Sequence, residues 1–184
     1  IALIAAAALL AGCNTAPPLA YTVPSQPEGS SGTTEKPGWA TEKFAVAAAN
    51  PLATDAGYQV LKAGGSAIDA AIAVQMVLTL VEPQSSGIGG GAFLLHAAGA
   101  RVEAYDGRET APAAVTDKLF IGPDGKPLPF NDAVVGGRSV AAPGTVRTLG
   151  LAHREHAKRA GAELFEPATQ LATCGAKGSG PTPT

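Results

Sequence analysis

The chain has 184 residues, with 13 basic and 15 acidic side chains, a formal net charge of −2 and 46% hydrophobic residues. This balance, without a basic cluster, argues against nucleic acid as a partner. The two cysteines, Cys13 and Cys174, are too few for a disulfide framework, and no cysteine spacing typical of zinc or haem occurs. We therefore expect one folded domain with an apolar core and no cofactor.

The first twelve residues, IALIAAAALLAG, form an uncharged apolar run that ends directly before Cys13. A membrane-spanning helix needs about 20 apolar residues, so this shorter run is typical of the apolar part of a secretory signal. Residues 10–13, LAGC, resemble a bacterial lipobox, in which the cysteine is acylated. We favour this over an ordinary signal peptide, and so predict an exported lipoprotein anchored to the membrane in the bacterial periplasm or at the cell surface.

Residues 13–43 are rich in Pro, Ser, Thr and Gly. Such a segment has too little apolar surface to offset its ordering entropy, so it predicts a flexible tether behind the lipidated cysteine. The folded domain is predicted over residues 44–172. Residues 173–184 predict an aberrant or disordered tail.

The folded part opens with an apolar run, residues 44–49, that predicts a short buried strand. Asn50 and Pro51 then fit the N-cap and the first turn of a helix over 52–63, and a Gly-Gly pair follows as a left-handed C-cap. Ser66-Ala67-Ile68-Asp69 is a capping-box-like start. It opens a second helix to about residue 80, which is apolar nearly all round and must be buried on most sides.

A glycine-dense turn over 84–91 precedes two predicted strands, 92–97 and 101–106, which form a hairpin. Residues 116–132 predict a turn-rich surface excursion, residues 145–158 a helix, and residues 163–171 a further helix with Pro167 near its beginning. The order of elements indicates a mixed α/β fold with a helical layer over a sheet.

Three stretches together resemble the γ-glutamyltranspeptidase family. ANPLATDAGYQVLKAGGSAIDAAIAVQMVLTLVEPQSSGIGGGAFLL resembles the opening of the family's large subunit, YDGRETAPAA its Arg-Glu-x-Ala-Pro segment, and GGRSVAAPGTVRTLGLAHREHA its Pro-Gly-containing helix start. The resemblance covers about residues 45–172. It implies an N-terminal-nucleophile hydrolase, a stacked αββα sandwich that is incomplete in this chain.

The resemblance also implies a chemistry. In the family the precursor cuts itself, and a threonine becomes the N-terminus of a small subunit; its hydroxyl attacks the γ-glutamyl amide of glutathione or a relative. The γ-glutamyl group then passes to water or to an amino acid, with no metal or cofactor. The implied partners are γ-glutamyl compounds and the small subunit of the same precursor. Because the family's threonine lies well beyond residue 184, we expect this chain alone to be inactive.

One functional residue follows from the resemblance by position. Arg108, in DGRETAP, matches the family arginine that binds the α-carboxylate of the γ-glutamyl group, and a guanidinium offers a carboxylate two parallel N–H donors. Glu109 is a second candidate, as the residue that orients Arg108. The plainer alternative is a surface arginine paired with Glu109.

A glycine-rich loop and three histidines are further candidates for a functional role. The loop 85–91 fits either an anion-binding nest of backbone amides or close packing that only glycine allows, and we favour packing. His96, His153 and His156 are expected to be surface and core residues rather than metal ligands, since supporting carboxylates are missing from the pattern.

Two alternative functions and three explanations of the C-terminal residues stay open. A cephalosporin-acylase-like amidase shares the implied fold, and a non-catalytic, surface-anchored binding lipoprotein would use the same lipobox and tether. After residue 172 the family resemblance ends abruptly. A frameshift, a truncation and a native tail all fit that end.

Overall fold

The computed structural model describes residues 40–175. The predicted signal segment, the lipidation of Cys13 and most of the tether and tail lie outside the described residues. The described part divides into two compact units. Unit 1 comprises residues 40–86 and 159–175, and unit 2 comprises Gly87–Lys158.

Helix α1 of unit 1 spans Pro51–Lys62 and has the predicted caps. The Asn50 side chain accepts a hydrogen bond from the Leu52 backbone N–H at 3.0 Å, which satisfies one of the donors that a helix start leaves over. At the other end Gly64 has φ of 87°, a left-handed conformation that favours glycine. The predicted start and end of this helix are confirmed to within one residue.

Helix α2 spans Ala67–Val81 and starts with the predicted capping box. The Asp69 N–H donates to the Ser66 hydroxyl at 3.1 Å, and the Ser66 N–H donates to the Asp69 carboxylate at 2.7 Å. Every residue of α2 except Ala67 is buried or half-buried. The prediction that this apolar helix is covered on most sides is therefore confirmed.

Helix α5 spans Gly161–Cys174 and packs against α2. The fully buried Leu164 lies in its first turn. The expected helix start at Glu163 is two residues too late, and Pro167 consequently lies inside the helix rather than near its beginning. A proline there removes one intrahelical hydrogen bond, so this helix depends on its packing.

The core of unit 1 joins the three helices. Its central cluster consists of Ala53, Ala56, Val77 and Val81. A buried polar contact lies at the helix ends, where the Asn50 amide donates to the Glu82 carboxylate at 3.1 Å. This pair ties the start of α1 to the end of α2.

The strand predicted over residues 44–49 is wrong within the described part of the chain, where these residues have no strand assignment. Their burial alternates with a period of two, as it does along a strand. Phe44 lies against Tyr58, with ring centroids 5.3 Å apart, while the opposite side is exposed. A strand needs a hydrogen-bonded neighbour, and the one sheet in the described residues pairs only the two hairpin strands.

Unit 2 contains the predicted hairpin, with β1 at Ala92–Ala98 and β2 at Arg101–Gly107 in antiparallel register. Gly99, in the two-residue turn, has φ of 61°. One face of the hairpin is half-buried and packs against helix α4, Thr145–His156. The other face exposes Phe93, Leu95 and Val102, each by more than 60%.

The segment between β2 and α4 includes the excursion predicted over residues 116–132, which is irregular up to residue 129, and the largest apolar side chains of the segment are exposed. It also contains a one-turn helix that the sequence did not predict, α3 at Phe130–Val134, and a 3₁₀ turn at Gly137–Ser139. Across residues 40–175, every helix falls short of the length and apolar character needed to cross a bilayer. The fold is mixed helix and sheet, with a two-stranded sheet in the described residues.

Candidate substrate-binding site

Two glycine-containing segments meet in unit 2 through the backbone of the glycine loop over residues 85–91. The Gly90 carbonyl accepts hydrogen bonds from the backbone N–H groups of Gly144 and Thr145, both at 3.1 Å. It also accepts one from the Thr145 hydroxyl at 2.9 Å. The loop therefore caps the N-terminus of α4, and the Pro143-Gly144 segment is the point where they join.

The end of β2 packs onto the same helix start, at a distance that only glycine permits. A Cβ on Gly144 would overlap the Gly107 carbonyl oxygen, and a Cβ on Gly107 would overlap the Thr148 hydroxyl. Next to this contact, Ala142 donates its backbone N–H to the Thr110 carbonyl at 2.9 Å. The DGRET segment thus leaves the sheet from an anchored position.

Glu109 is held by the glycine loop. Its carboxylate accepts hydrogen bonds from its own backbone N–H and from that of Gly91, and these two bonds, with the Arg108 guanidinium, lower its pKa below the ordinary value of 4.5. A Cβ on Gly91 would lie 2.5 Å from the carboxylate oxygen. Close packing, the favoured explanation for this loop, therefore fits Gly90 and Gly91. The anion that the Gly91 amide binds is the Glu109 carboxylate of the same chain.

Arg108 lies directly after β2 and is 73% exposed. Its backbone N–H donates to the Asp106 carboxylate at 2.9 Å, and its Nε lies 3.3 Å from Glu109 Oε2. Glu109 is the one acidic side chain that pairs with Arg108 in residues 40–175. The plainer alternative from the sequence, an Arg108–Glu109 ion pair, is thus present. A guanidinium held through Nε can still offer its terminal amino groups to a carboxylate.

A second polar cluster in unit 2 was not predicted. Glu103 Oε2 lies 2.8 Å from His156 Nε2 and 3.4 Å from His96 Nδ1. The expectation that the histidines lack a supporting carboxylate is wrong for these two. Hairpin register could have revealed the contact, because a two-residue turn places His96 directly opposite Glu103.

Tyr105 extends this cluster. Its hydroxyl lies 2.6 Å from Glu155 Oε2 and 2.8 Å from His156 Nε2. The hydrogen bond to Glu155, together with burial, raises the pKa of Tyr105 to about 12. Burial alone would raise the pKa of Glu103, but the His96 hydrogen bond and the nearby positive charges lower it below 4.5. The shifts favour an ionised Glu103 beside a neutral Tyr105 phenol.

The chain has recognisable relatives. The sequence profile of the family described as gamma-glutamyltranspeptidase matches residues 53–179. The glutathione hydrolase proenzyme of Bacillus subtilis strain 168 is 42% identical over 132 residues, which cover 71% of this chain and 22% of that protein. The chain thus spans about a fifth of the length of this curated relative.

Solved structures agree with the profile. The crystal structure of Helicobacter pylori gamma-glutamyltranspeptidase matches with a TM-score of 0.69 and 34% identity, over 74% of this chain and 39% of that one. The cephalosporin acylase of Bacillus halodurans matches with a TM-score of 0.56 and 32% identity, over 67% and 22% of the two chains.

Proposed function

Because the chain belongs to the γ-glutamyltranspeptidase family, we propose that it supplies the carboxylate-binding part of an enzyme that cleaves γ-glutamyl amides such as glutathione. Its fold is the mixed α/β fold of the N-terminal-nucleophile hydrolases, with an incomplete sheet. The observation that carries the proposal is Arg108: a largely exposed guanidinium, paired with Glu109, at an anchored strand end.

Arg108 would bind the α-carboxylate of the γ-glutamyl group through its terminal amino groups, while Glu109 holds Nε. The binding orients the amide for attack by the N-terminal threonine of a small subunit. The threonine oxygen bonds to the γ-carbonyl carbon, the amine of the substrate leaves with a proton, and water or an amino acid then takes the γ-glutamyl group. Positioning by a bidentate arginine is one of the ways in which binding accelerates a reaction.

A chimera tests Arg108. Residues 53–175 of this chain would replace the matching segment of the Bacillus subtilis proenzyme, and hydrolysis of γ-glutamyl-p-nitroanilide would be measured. Hydrogen bonds to a charged group contribute about 1.5–3 kcal/mol, so Arg108→Gln should lower kcat/KM about 10- to 100-fold. Arg147→Gln, which changes an exposed arginine of α4 in the same unit, should leave kcat/KM unchanged.

The chimera also needs a measure of folding. Cleavage of the precursor into two subunits reports an assembled fold independently of turnover. A chimera that is cleaved and turns over substrate, but is insensitive to Arg108→Gln, would exclude this role for Arg108. Equal losses in the Arg108 and Arg147 variants would show a general defect instead.

A cephalosporin-acylase-like amidase is the second candidate, favoured by the structural similarity to the Bacillus halodurans enzyme. A glutaryl group carries the same kind of terminal carboxylate for Arg108, and it lacks the α-amino group of a γ-glutamyl group. The two activities separate when the chimera is offered glutathione and a glutaryl amide in parallel. Preference for the glutaryl amide would favour the acylase.

The chain of 184 residues by itself is proposed to be inactive. The family's nucleophile is an N-terminal threonine of the small subunit, and the 184 residues span about a fifth of the Bacillus subtilis proenzyme. Release of p-nitroaniline above a boiled-protein blank would contradict the proposal. If the Arg108→Gln variant of the chain also released p-nitroaniline, the activity would come from a site that does not include Arg108.

Export and anchoring form a separate proposal, carried by residues 1–13 alone. With a charged signal-peptide start placed before residue 1, Cys13 should be acylated in a bacterial host, and Cys13→Ala should move the protein from the membrane to the soluble fraction. Cys174→Ala is the matched control and should leave the partitioning unchanged. Membrane retention of the Cys13 variant would favour an ordinary signal peptide. If the protein is anchored to the membrane but neither the chain nor the chimera is active, the non-catalytic binding lipoprotein would be favoured.

A further inference from the structure

Three side chains from separate elements of unit 2 converge away from Arg108. His96 is on β1, Glu103 is on β2 and His156 is the last residue of α4. One ligand atom from each lies within 4.8 Å of the others. Their side chains are 17%, 19% and 21% exposed. We propose that His96, Glu103 and His156 form a binding site for zinc or a similar divalent transition-metal ion, which ties the hairpin to α4.

The donor set and its spacing fit such an ion. Two imidazoles and one carboxylate are a ligand combination that zinc uses. Zinc–ligand distances of about 2.0–2.2 Å in a tetrahedron place neighbouring ligand atoms about 3.3 Å apart. The observed separations from Glu103 Oε2 are 2.8 Å to His156 and 3.4 Å to His96. Small side-chain shifts are therefore enough to admit the ion.

The two rings are arranged for a shared ligand. Their centroids lie 4.0 Å apart with 34° between the planes, and a nitrogen of each faces the same oxygen of Glu103. Without a metal, each of these nitrogens must carry a proton to face that oxygen favourably. A bound cation takes the place of both protons. The other oxygen, Oε1, accepts a hydrogen bond from Arg101, which fixes the carboxylate in this orientation.

Neighbouring groups complete the site. Glu155 Oε2 lies 3.8 Å from His156 Nε2 but outside the group of three ligand atoms, so a water would take the fourth position. The Tyr105 hydroxyl contacts both His156 Nε2 and Glu155. When a metal takes His156 Nε2, the hydroxyl keeps Glu155 as its acceptor, so no buried donor loses its partner. Arg101 is 76% exposed, so solvent screens most of its repulsion of a cation.

Zinc binding to the tag-free 184-residue chain tests the site. Both cysteines would be changed to serine in all proteins, because a thiolate is a competing zinc ligand. Competition with a chromophoric chelator should show one equivalent of Zn²⁺, and Co²⁺ should give the visible absorption of a tetrahedral site. His96→Ala, His156→Ala and Glu103→Gln should each weaken the affinity at least about tenfold, since even outer-shell changes cost that much. His153→Ala, one turn earlier on α4, is the matched control and should bind as the parent does.

A second measurement separates lost ligands from lost folding. Zn²⁺ should slow amide hydrogen exchange across residues 92–107 in the parent and in the His153 variant, because a metal bound only by the folded form stabilises it. It should have no such effect in the His96 variant, whose far-UV circular dichroism should match the parent. Absence of stoichiometric binding by the parent would overturn the proposal. So would undiminished binding by the His96 and His156 variants.

Discussion

Unit 1 and unit 2 differ in where their apolar side chains lie. Among the described residues, all but two of the buried apolar side chains belong to unit 1, and all but two of the large exposed ones belong to unit 2. Unit 1 is therefore held together by apolar packing between helices. Unit 2 is held together by glycine-dependent backbone contacts and by the polar cluster around Glu103.

This contrast matters for function, because the candidate residues lie in unit 2. Arg108 sits at a strand end that two glycines, Gly107 and Gly144, hold against α4. The outer face of the same hairpin is apolar and exposed. A sheet with such a face packs on a second layer, as the two stacked sheets of an αββα sandwich do. Unit 2 thus contains the candidate residues, and unit 1 contains most of the core.

The largest effect should come from the exposed hairpin face. We expect the chain at micromolar concentration to self-associate through Phe93, Leu95 and Val102, because contiguous apolar surface and open strand edges promote aggregation. Changing all three to threonine, which keeps strand propensity, should shift most of the protein to monomer in sedimentation velocity. The matched change in unit 1, Tyr58→Gln with Phe165→Gln, should leave the aggregated fraction as it was. A parent chain that is already monomeric would contradict this prediction.

The second effect tests the core of unit 1. Leu164 is fully buried in α5, and Phe165 beside it is 48% exposed. In the threonine background, Leu164→Ala should lower the free energy of unfolding by about 2–5 kcal/mol, the usual range for a buried leucine. Phe165→Ala should lower it by less than about 1 kcal/mol. Urea denaturation followed by helical circular dichroism measures both. Similar losses would mean that α5 does not pack as described.

The two units also differ in how much of their structure could be predicted from the sequence. In unit 1, helix caps and periodicity are local signals, and Asn50, Ser66 and the Gly64 turn were predicted from them correctly. The strand over 44–49 failed because a strand depends on a partner elsewhere in the chain. The prediction that Pro167 lies near the start of its helix was wrong because tertiary packing overrides the local preference against a proline inside a helix.

In unit 2 the hairpin was predicted correctly and Arg108 was singled out as a candidate, but the surroundings of both were not predicted. The position of Arg108 came from a motif, and the hydrogen bond between Glu109 and the Gly91 amide needed three-dimensional structure. The His96–Glu103 contact was in reach, because hairpin register is set by the turn. The contribution of His156 to this cluster could not be predicted, because the packing of α4 on the hairpin joins residues about fifty positions apart.

The third effect tests the glycine contacts of unit 2. In Gly144→Ala the new methyl group would overlap the Gly107 carbonyl, so the backbone must move. We expect a loss of about 1–3 kcal/mol, as for other overpacked sites. Gly89→Ala meets no heavy atom within 4 Å and should change stability by less than about 0.5 kcal/mol. Amide exchange in β1 and β2 measures the difference. Equal protection in the two variants would refute the close approach of β2 to α4.

The smallest effect is a pH dependence confined to unit 2. His96, Arg101 and His156 hold the pKa of Glu103 below 4.5 in the folded chain, against the effect of burial. A carboxyl group whose pKa is lower when folded contributes stability that is fully present above its unfolded value. This contribution is lost as the pH falls below about 4.5 and through the folded pKa. Hairpin amide protection should therefore fall in this range.

Glu103→Gln removes the titrating group and keeps its shape, so its hairpin protection should fall less steeply as the pH drops from about 5 to about 3, through the ordinary glutamate pKa of 4.5. Glu163→Gln, which changes a half-exposed glutamate of α5 in unit 1, is the matched control and should leave the hairpin profile as in the parent. Arg101→Gln should move the Glu103 pKa upward, because it removes one of the charges that favour the carboxylate. Carboxyl chemical shifts report that pKa directly. A Glu103 that titrates at or above 4.5 in the folded parent would show that burial, rather than the surrounding positive charge, controls this group.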